Sequence, residues 1–123
     1  MQDATRIKPY KRHKAKNDIP LFQTHVVGTA YYKLDDVRHT LRSGQNLRLQ
    51  REPYNKYDEL AIEVFSKSGA KLGYVPRHRN EVVASLMDSG RIIFAKVTNI
   101  DIGHWNAIRM ELVLMDGKNQ NAV

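Results

Sequence analysis

The sequence predicts a mainly β fold, in which about six short strands form a small barrel and two short helices pack on its rim. Three observations support this prediction. Apolar and polar residues alternate in several short runs, which is typical of half-buried strands. Glycine and proline stand at the ends of these runs, as expected for strands joined by turns. Two further segments repeat their apolar residues at helical spacing instead.

The first half of the chain is predicted to form a strand, a helix and a second strand. Residues 22–32 are rich in β-branched and aromatic side chains, and Gly28 among them indicates a β-bulge. Residues 34–43 repeat apolar side chains four positions apart, and Gly44 is suited to end that helix in the left-handed conformation. Residues 46–51 alternate leucine with polar residues, which predicts a half-buried strand.

A hairpin and a second helix are predicted next. Residues 60–65 and 71–75 alternate again, and the turn of residues 66–69 between them ends in glycine. Residues 80–90 form an apolar stripe at helical spacing between an asparagine suited to cap the helix and a glycine suited to end it.

Two further strands are predicted over residues 91–100 and 107–115, and a loop that holds His104 and Trp105 joins them. Trp105 is the only tryptophan of the chain. Because large aromatic side chains are usually mostly buried, we expect Trp105 to pack against the end of the barrel.

Composition limits the class of protein. The chain has 123 residues, of which 41% are hydrophobic, and this is enough for one domain with a modest core. It contains no cysteine, which excludes disulfides and thiolate zinc sites and fits a reducing, cytoplasmic location. No apolar run is long enough to span a membrane, and the basic N-terminus lacks the apolar stretch of a secretory signal.

Charge is concentrated at the N-terminus. The formal net charge is +7, of which +4 falls on residues 1–20 and +3 on the remainder. We therefore expect a basic flexible tail over residues 1–20, a β-barrel domain over residues 21–116 and a polar C-terminal tail over residues 117–123. A basic tail can follow a phosphate backbone without reading its sequence. A disordered leader that only increases solubility has the same composition.

The segment between the strands predicted over 46–51 and 60–65 carries unusual chemistry for a turn. Tyr54, Asn55, Tyr57 and Asp58 lie within five positions. An aromatic ring offers a face on which a base can stack, and a carboxylate accepts a hydrogen bond from a hydroxyl. Together these groups suit the end of a nucleic-acid strand. A solvated turn whose tyrosines support the barrel behind it is the alternative interpretation.

An ordered set of short motifs resembles the HIRAN domain, a small module of DNA-remodelling ATPases that also occurs as a short bacterial protein. The resemblance covers roughly residues 25 to 115. It implies an OB-like six-stranded β-barrel with two short α-helices that binds single-stranded DNA at its 3′ end. The matching motifs are Val26-Val27-Gly28, Tyr31-Tyr32, the segment 47–53, Asn55-Lys56-Tyr57-Asp58, the segment 61–64 and the segment 71–77.

The resemblance assigns roles to individual side chains. Tyr31 and Tyr57 occupy the positions that sandwich the terminal base in the family. Asp58 occupies the position of the carboxylate that accepts a hydrogen bond from the 3′-hydroxyl. Asn55 is expected to shape the loop, although its amide could reach a phosphate. Tyr74 stands where some relatives carry a histidine that faces the phosphates, and its hydroxyl can donate to a phosphate without supplying charge.

Basic residues near these positions could contact phosphates, and Arg51, Arg77 and Lys56 are the candidates. Two positions depart from the family pattern. Ala30 replaces an arginine that would contact a phosphate, which is expected to weaken binding. Lys56 replaces a proline, so the loop loses a residue of fixed φ and gains a cation.

No catalytic constellation is visible, so the sequence predicts a binding module that needs neither a metal nor another cofactor. The five histidines lack metal-ligand spacing, and there is no phosphate-binding loop of the P-loop type. Two other binding functions fit the same residues. A groove formed by these residues could dock a helicase or nuclease partner. It could also bind the 3′ end of RNA, whose terminal ribose also offers a hydroxyl.

Overall fold

The computed structural model of the chain describes residues 17–29, 32, 34–37 and 39–115. Most of the predicted basic tail, the predicted C-terminal tail and Tyr31 lie outside the described residues, as does Ala30. The roles proposed for them therefore stay predictions.

Six strands and three short helices make up the described part. In chain order the elements are β1 (Ile19–His25), α1 (Leu34–Val37), β2 (Asn46–Arg51), β3 (Ile62–Phe65), β4 (Lys71–Tyr74), a 3₁₀ helix (Arg77–Arg79), α2 (Glu81–Asp88), β5 (Ile93–Ile100) and β6 (Ile108–Leu114). The mainly β prediction with six strands is confirmed. None of the helices within the described ranges is long and apolar enough to cross a membrane.

Two elements differ from their predicted extent. The strand predicted over residues 22–32 begins earlier and ends at His25, because Val27 leaves the β1–β6 pairing and pairs with Tyr74 of β4 instead. The irregularity in β1 lies between Pro20 and Phe22 rather than at Gly28. The helix predicted over residues 34–43 ends at Val37.

Thr40 explains the early end of α1. Its backbone N–H and its hydroxyl both donate to the carbonyl oxygen of Val37, at 2.9 and 2.8 Å. Threonine side chains that bond nearby backbone groups compete with helix propagation. Leu41, expected on the helix face, is instead buried from an irregular segment.

All strand pairs are antiparallel, and the strand order in the sheet is β1-β6-β5-β2-β3-β4. Alternate side chains of the strands fill one continuous core. Its fully buried larger members are Val26, Leu47, Ile62, Val64, Leu72, Val83, Val97, Ile108, Met110 and Leu112.

The segment after β1 closes the sheet. The N–H of Val26 donates to Ile108 in β6, and Val27 and Tyr74 of β4 exchange two backbone hydrogen bonds of 2.8 and 2.9 Å. In the strand order, β6 and β4 are four strand spacings apart, about 19 Å in a flat sheet. Consecutive Cα atoms are only about 3.8 Å apart. The sheet must therefore curl on itself, as an OB-like architecture requires.

Gly73 makes this closure possible. A Cβ atom at Gly73 would overlap the carbonyl oxygen of Val27 and lie 2.8 Å from the Cγ1 atom of Val26. Its φ of +153° is also one that residues with a side chain rarely adopt. Only glycine allows the backbone of β4 to approach Val27 so closely.

We expect Gly73→Ala to lower the free energy of unfolding by about 2–4 kcal/mol, because backbone strain and overpacking each cost roughly 1–3 kcal/mol. Gly69→Ala is the matched control: Gly69 has a φ of +97° but no atom within 4 Å of the added Cβ. The control should lose only about 1–2 kcal/mol. Urea unfolding of both variants measures the difference, and equal losses would contradict a steric role for Gly73.

Candidate nucleic-acid interface

The loop of residues 52–61 joins β2 to β3 and is closed by its own backbone. The N–H of Glu52 donates to Ala61, the N–H of Asn55 to Glu52 and the N–H of Ala61 to Asp58, at 2.9–3.1 Å. Two tyrosines project from this loop into solvent. Tyr54 is 95% exposed and Tyr57 is 77% exposed, so neither supports the barrel from within.

Asn55 fixes the conformation of the 52–61 loop from its centre. Its Oδ1 atom accepts from the N–H groups of Tyr57 and Asp58, at 2.8 and 3.0 Å. Its Nδ2 atom donates to Oε1 of Glu52 at 2.8 Å. The structure thus gives Asn55 the loop-shaping role expected from the sequence. These bonds constrain the backbone on either side of Lys56 without a proline at that position.

Asp58 is a half-buried carboxylate that is already hydrogen bonded. Oδ1 accepts from the N–H of Leu60 at 2.9 Å, and Oδ2 accepts from Nδ2 of Asn80 at 2.8 Å. Nε of Arg77 lies 3.8 Å from Oδ2. Asp58 therefore braces its own loop and ties it to Asn80, directly before α2. An ionised carboxylate has about four acceptor sites, so capacity for a ligand hydroxyl remains.

Glu52 and Tyr74 connect the 52–61 loop to β4. The Tyr74 hydroxyl donates to Oε1 of Glu52 at 2.7 Å, the same oxygen that accepts from Asn55. Hydrogen bonds from Tyr74 and Asn55 hold the pKa of the Glu52 carboxyl below its usual value. Burial and the bond to Glu52 raise the pKa of the Tyr74 phenol. The Tyr74 hydroxyl thus donates its hydrogen bond to Glu52 rather than to solvent.

Lys71 lies behind Tyr74. Its Nζ atom bonds to the Tyr74 hydroxyl at 2.8 Å and to Oε2 of Glu63 at 3.0 Å. Burial by itself lowers the pKa of the Lys71 ammonium. Hydrogen bonds with Tyr74, Glu63 and Tyr32 outweigh that effect, so the net pKa is raised. Glu63 is accordingly part of an internal ion pair with Lys71.

Arg51, predicted as a phosphate contact, is used by the fold. Its guanidinium makes four hydrogen bonds of 2.8–3.2 Å, two of them with Asp88 and the others with the carbonyl oxygens of Ala61 and Glu59. The Arg51 side chain is only 14% exposed. It therefore joins the end of the 52–61 loop to the last residue of α2.

Arg77 is the basic residue placed best for a ligand. Its side chain is exposed and stands beside Asp58 at the start of the 3₁₀ helix. The next two residues of that helix are also basic, and Arg79 lies 4.1 Å above the ring of Phe22 in β1. Lys56 is exposed as well, with its Nζ atom 5.8 Å from the centre of the Tyr57 ring.

Trp105 does not pack against the barrel, and the expectation that it would is wrong. Its side chain is 77% exposed, with His25 edge-on at 5.5 Å and His104 stacked at 5.8 Å. Ala107 and Ile108 fill the interior at this end, so the loop turns Trp105 outward. Burial, followed by the charges of Arg109 and His78, lowers the pKa of His25.

Some of the residues that the sequence predicted for the site are neighbours in the structure, and other residues of the site were not predicted. Asn55, Tyr57, Asp58 and Arg77 are indeed neighbours, whereas the location of Tyr31 lies outside the described residues. Tyr32 is half-buried, with Nζ of Lys71 5.1 Å from its ring. The supporting side chains that the sequence did not reveal are Glu52, Glu63, Lys71 and Asn80. Within the described ranges, no group of three or more histidine, aspartate or glutamate residues could hold a metal ion.

Comparisons with known proteins identify relatives of this arrangement. The family model for the HIRAN domain matches residues 19–115. Helicase-like transcription factor from Oryctolagus cuniculus is 33% identical over 108 residues, which are 85% of this chain and 10% of that protein. The chain thus spans about a tenth of the length of that relative.

Solved structures share the fold. A crystal structure of a protein from Lactobacillus plantarum has a TM-score of 0.74 and 36% identity, and the match covers 79% of this chain and 94% of that one. The NMR structure of the HLTF HIRAN domain in its DNA-bound conformation has a TM-score of 0.58 and 22% identity. That match covers 91% of this chain and 90% of the HLTF domain.

The bonding of Arg51 predicts a structural defect on its removal. Arg51→Leu should lower the free energy of unfolding by about 1–3 kcal/mol, because Asp88 and the carbonyl oxygens of Ala61 and Glu59 lose a charged donor. Arg48→Leu is the matched control on the same strand. Arg48 is exposed, and its guanidinium lies 4.5 Å from the centre of the Phe65 ring. Thermal or urea unfolding checks both. If the Arg51→Leu protein were as stable as the unmodified protein but bound single-stranded nucleic acid more weakly, Arg51 would instead be a phosphate contact.

Proposed function

Because the chain belongs to the HIRAN domain family, we propose that it is a non-catalytic DNA-binding module that takes the free 3′-hydroxyl end of a single strand. One observation carries this proposal. A solvent-exposed tyrosine, Tyr57, and a carboxylate, Asp58, are adjacent on a loop whose backbone is fixed by Asn55. Arg77 provides a positive charge at the same place.

The relatives support the choice of DNA. A HIRAN domain of HLTF has been solved in a DNA-bound conformation, and its fold is that of this chain. The matched region is about a tenth of the rabbit helicase-like transcription factor, so the proposal extends to DNA binding and not to the activities of the longer protein. DNA in preference to RNA is part of the proposal.

Tyr57 is proposed to provide one face of the base site. An exposed ring on a fixed backbone loses little conformational freedom when a base stacks on it. Stacking tolerates any base, because every base has a π-face. In this proposal Tyr31 provides the opposite face, as the family pattern implies.

Asp58 is proposed to select the chemical nature of the strand end. Its carboxylate can accept the terminal hydroxyl and would repel a 3′-phosphate, so it both attracts and rejects. Arg77 lies 3.8 Å from Asp58 and is exposed, so it is proposed to contact the phosphate preceding the terminal nucleotide. The ligand's hydroxyl would then replace solvent at an acceptor that the fold has already oriented.

The proposed role is binding rather than catalysis, and no cofactor takes part. Any chemistry on the strand would come from a partner, for which a helicase or nuclease is the proposed class. A cytoplasmic location, which the absence of cysteine favours, belongs to the same proposal.

Removal of the Tyr57 ring should weaken binding. Tyr57→Ala is expected to lose about 1–3 kcal/mol of affinity for a 3′-hydroxyl strand, while Tyr57→Phe loses little, because the ring face makes the contact. Fluorescence anisotropy with a labelled single strand measures both. Tyr54→Ala is the matched control, since Tyr54 is a similarly exposed tyrosine of the same loop. Equal losses for alanine and phenylalanine at position 57 would show that the hydroxyl matters instead.

Neutralising Asp58 should reduce discrimination between strand ends. Asp58→Asn is preferable to alanine, because an amide oxygen can still accept from Leu60 and the Asn80 amide can turn to accept from the new NH₂ group. A charge-assisted hydrogen bond is worth about 1.5–3 kcal/mol. We therefore expect the preference for 3′-hydroxyl over 3′-phosphate strands to shrink roughly tenfold or more.

The control for this experiment is Glu59→Gln, which removes the neighbouring exposed carboxylate. It should change binding of both strands alike. The titration should include matched RNA and a strand with only its 5′ end free. If a folded Asp58→Asn protein kept the same preference for 3′-hydroxyl over 3′-phosphate strands, Asp58 would not be the residue that distinguishes the two ends. Absence of strand binding by the unmodified protein would favour a protein partner in the groove.

A further inference from the structure

We propose that Lys71 is a positioning residue that couples Tyr32 to the 52–61 loop, which carries the proposed ligand residues Tyr57 and Asp58. The inference rests on the proposed function, because it concerns the same site. Lys71 is assigned no contact with the DNA. It acts through contacts with the side chains that fix the conformation of the site.

Contact between Lys71 and the Tyr32 ring is the first half of the coupling. The Nζ atom of Lys71 lies 5.1 Å from the centre of the Tyr32 ring and 4.4 Å from that of Tyr74. A cation at these distances attracts both rings.

The second half is a chain of hydrogen bonds to the 52–61 loop. Lys71 bonds to the Tyr74 hydroxyl at 2.8 Å, and Tyr74 donates to Glu52 at 2.7 Å. Oε1 of Glu52 also accepts from Asn55, which in turn accepts from the N–H groups of Tyr57 and Asp58. Every step between Lys71 and the backbone of the two proposed ligand residues is a bond of 3.0 Å or less.

The charge of Lys71 is already used inside the protein. Its ammonium pairs with the buried Glu63 at 3.0 Å, so a carboxylate of the protein already faces its charge. Its raised pKa is consistent with a cation held by several partners. A lysine that contacts DNA phosphates would instead need an uncompensated, exposed ammonium. The internal pairing therefore favours positioning over phosphate contact.

The alternative role predicts a different salt dependence, and this makes the inference testable. If a substitution removes one contact with a phosphate of a single strand, the slope of log K against log salt should fall by about 0.7. A positioning residue should weaken binding at an unchanged slope. The two roles also differ in the free protein, where only positioning predicts a change in the 52–61 loop.

The experiment compares Tyr74→Phe, Lys71→Met and Lys96→Met. Tyr74→Phe cuts the connection to Glu52 but keeps the Lys71–Glu63 pair, so it guards against a folding defect in Lys71→Met. Lys96→Met is the matched control: Lys96 lies in β5 opposite Glu111 of β6, away from the 52–61 loop. Binding is measured with a 3′-hydroxyl single strand at several salt concentrations.

Amide hydrogen exchange of Tyr57 and Asp58 is measured in the free proteins. We expect these amides to exchange faster in Tyr74→Phe and Lys71→Met but not in Lys96→Met. The affinity of the two network variants should fall about two- to tenfold, the effect of one net hydrogen bond, at an unchanged salt slope. Glu52→Ala, which removes the oxygen that accepts from both Tyr74 and Asn55, should resemble Tyr74→Phe.

Two results would overturn the inference. One is unchanged exchange and affinity in Tyr74→Phe and Lys71→Met. The other is a slope reduced by about 0.7 in Lys71→Met alone, which would make Lys71 a phosphate contact. Failure of the proposed function would look different, because no strand would bind even the unmodified protein while the exchange measurement still reported on the network.

Discussion

The backbone of Val27 is hydrogen bonded in both directions to the backbone of Tyr74, and the rest of the architecture depends on this pair of bonds. They join the segment after the first strand to the strand at the far edge of the sheet, which forces the sheet to curl. Gly73 permits the approach because it has no side chain to obstruct it. The same closure brings Tyr32 next to Lys71, so the fold and the candidate site share one constraint.

The 52–61 loop shows how side chains can replace a proline. Asn55 receives two backbone N–H groups, Glu52 holds the Asn55 amide, and Asp58 receives Leu60 and Asn80. Outside the loop, Tyr74 of β4 and Asn80 anchor it directly, and Arg51 adds a connection to Asp88 of α2. A loop fixed in this way can present an exposed aromatic ring without the entropy cost of ordering the loop backbone during binding.

Charge in this protein divides between the fold and the surface. The chain has a net charge of +7, yet Arg51 and Lys71 face internal partners. Exposed basic side chains such as Arg77 and Lys56 are the ones available to phosphates. The Asp58 carboxylate beside these cations is proposed to make the site selective as well as attractive. Net charge alone would predict attraction to any nucleic acid.

The sequence by itself determined the strands and α2, because alternation and helical spacing are local signals that burial of one face imposes. It also identified Asn55 and Asp58, whose turn-forming bonds span two or three residues. Tertiary structure alone decided that Arg51 braces the fold and that Trp105 is exposed. The first outcome depends on Asp88, which is 37 positions from Arg51 in the chain. No local pattern records which acceptor a guanidinium will meet or which side chain already fills the end of the core.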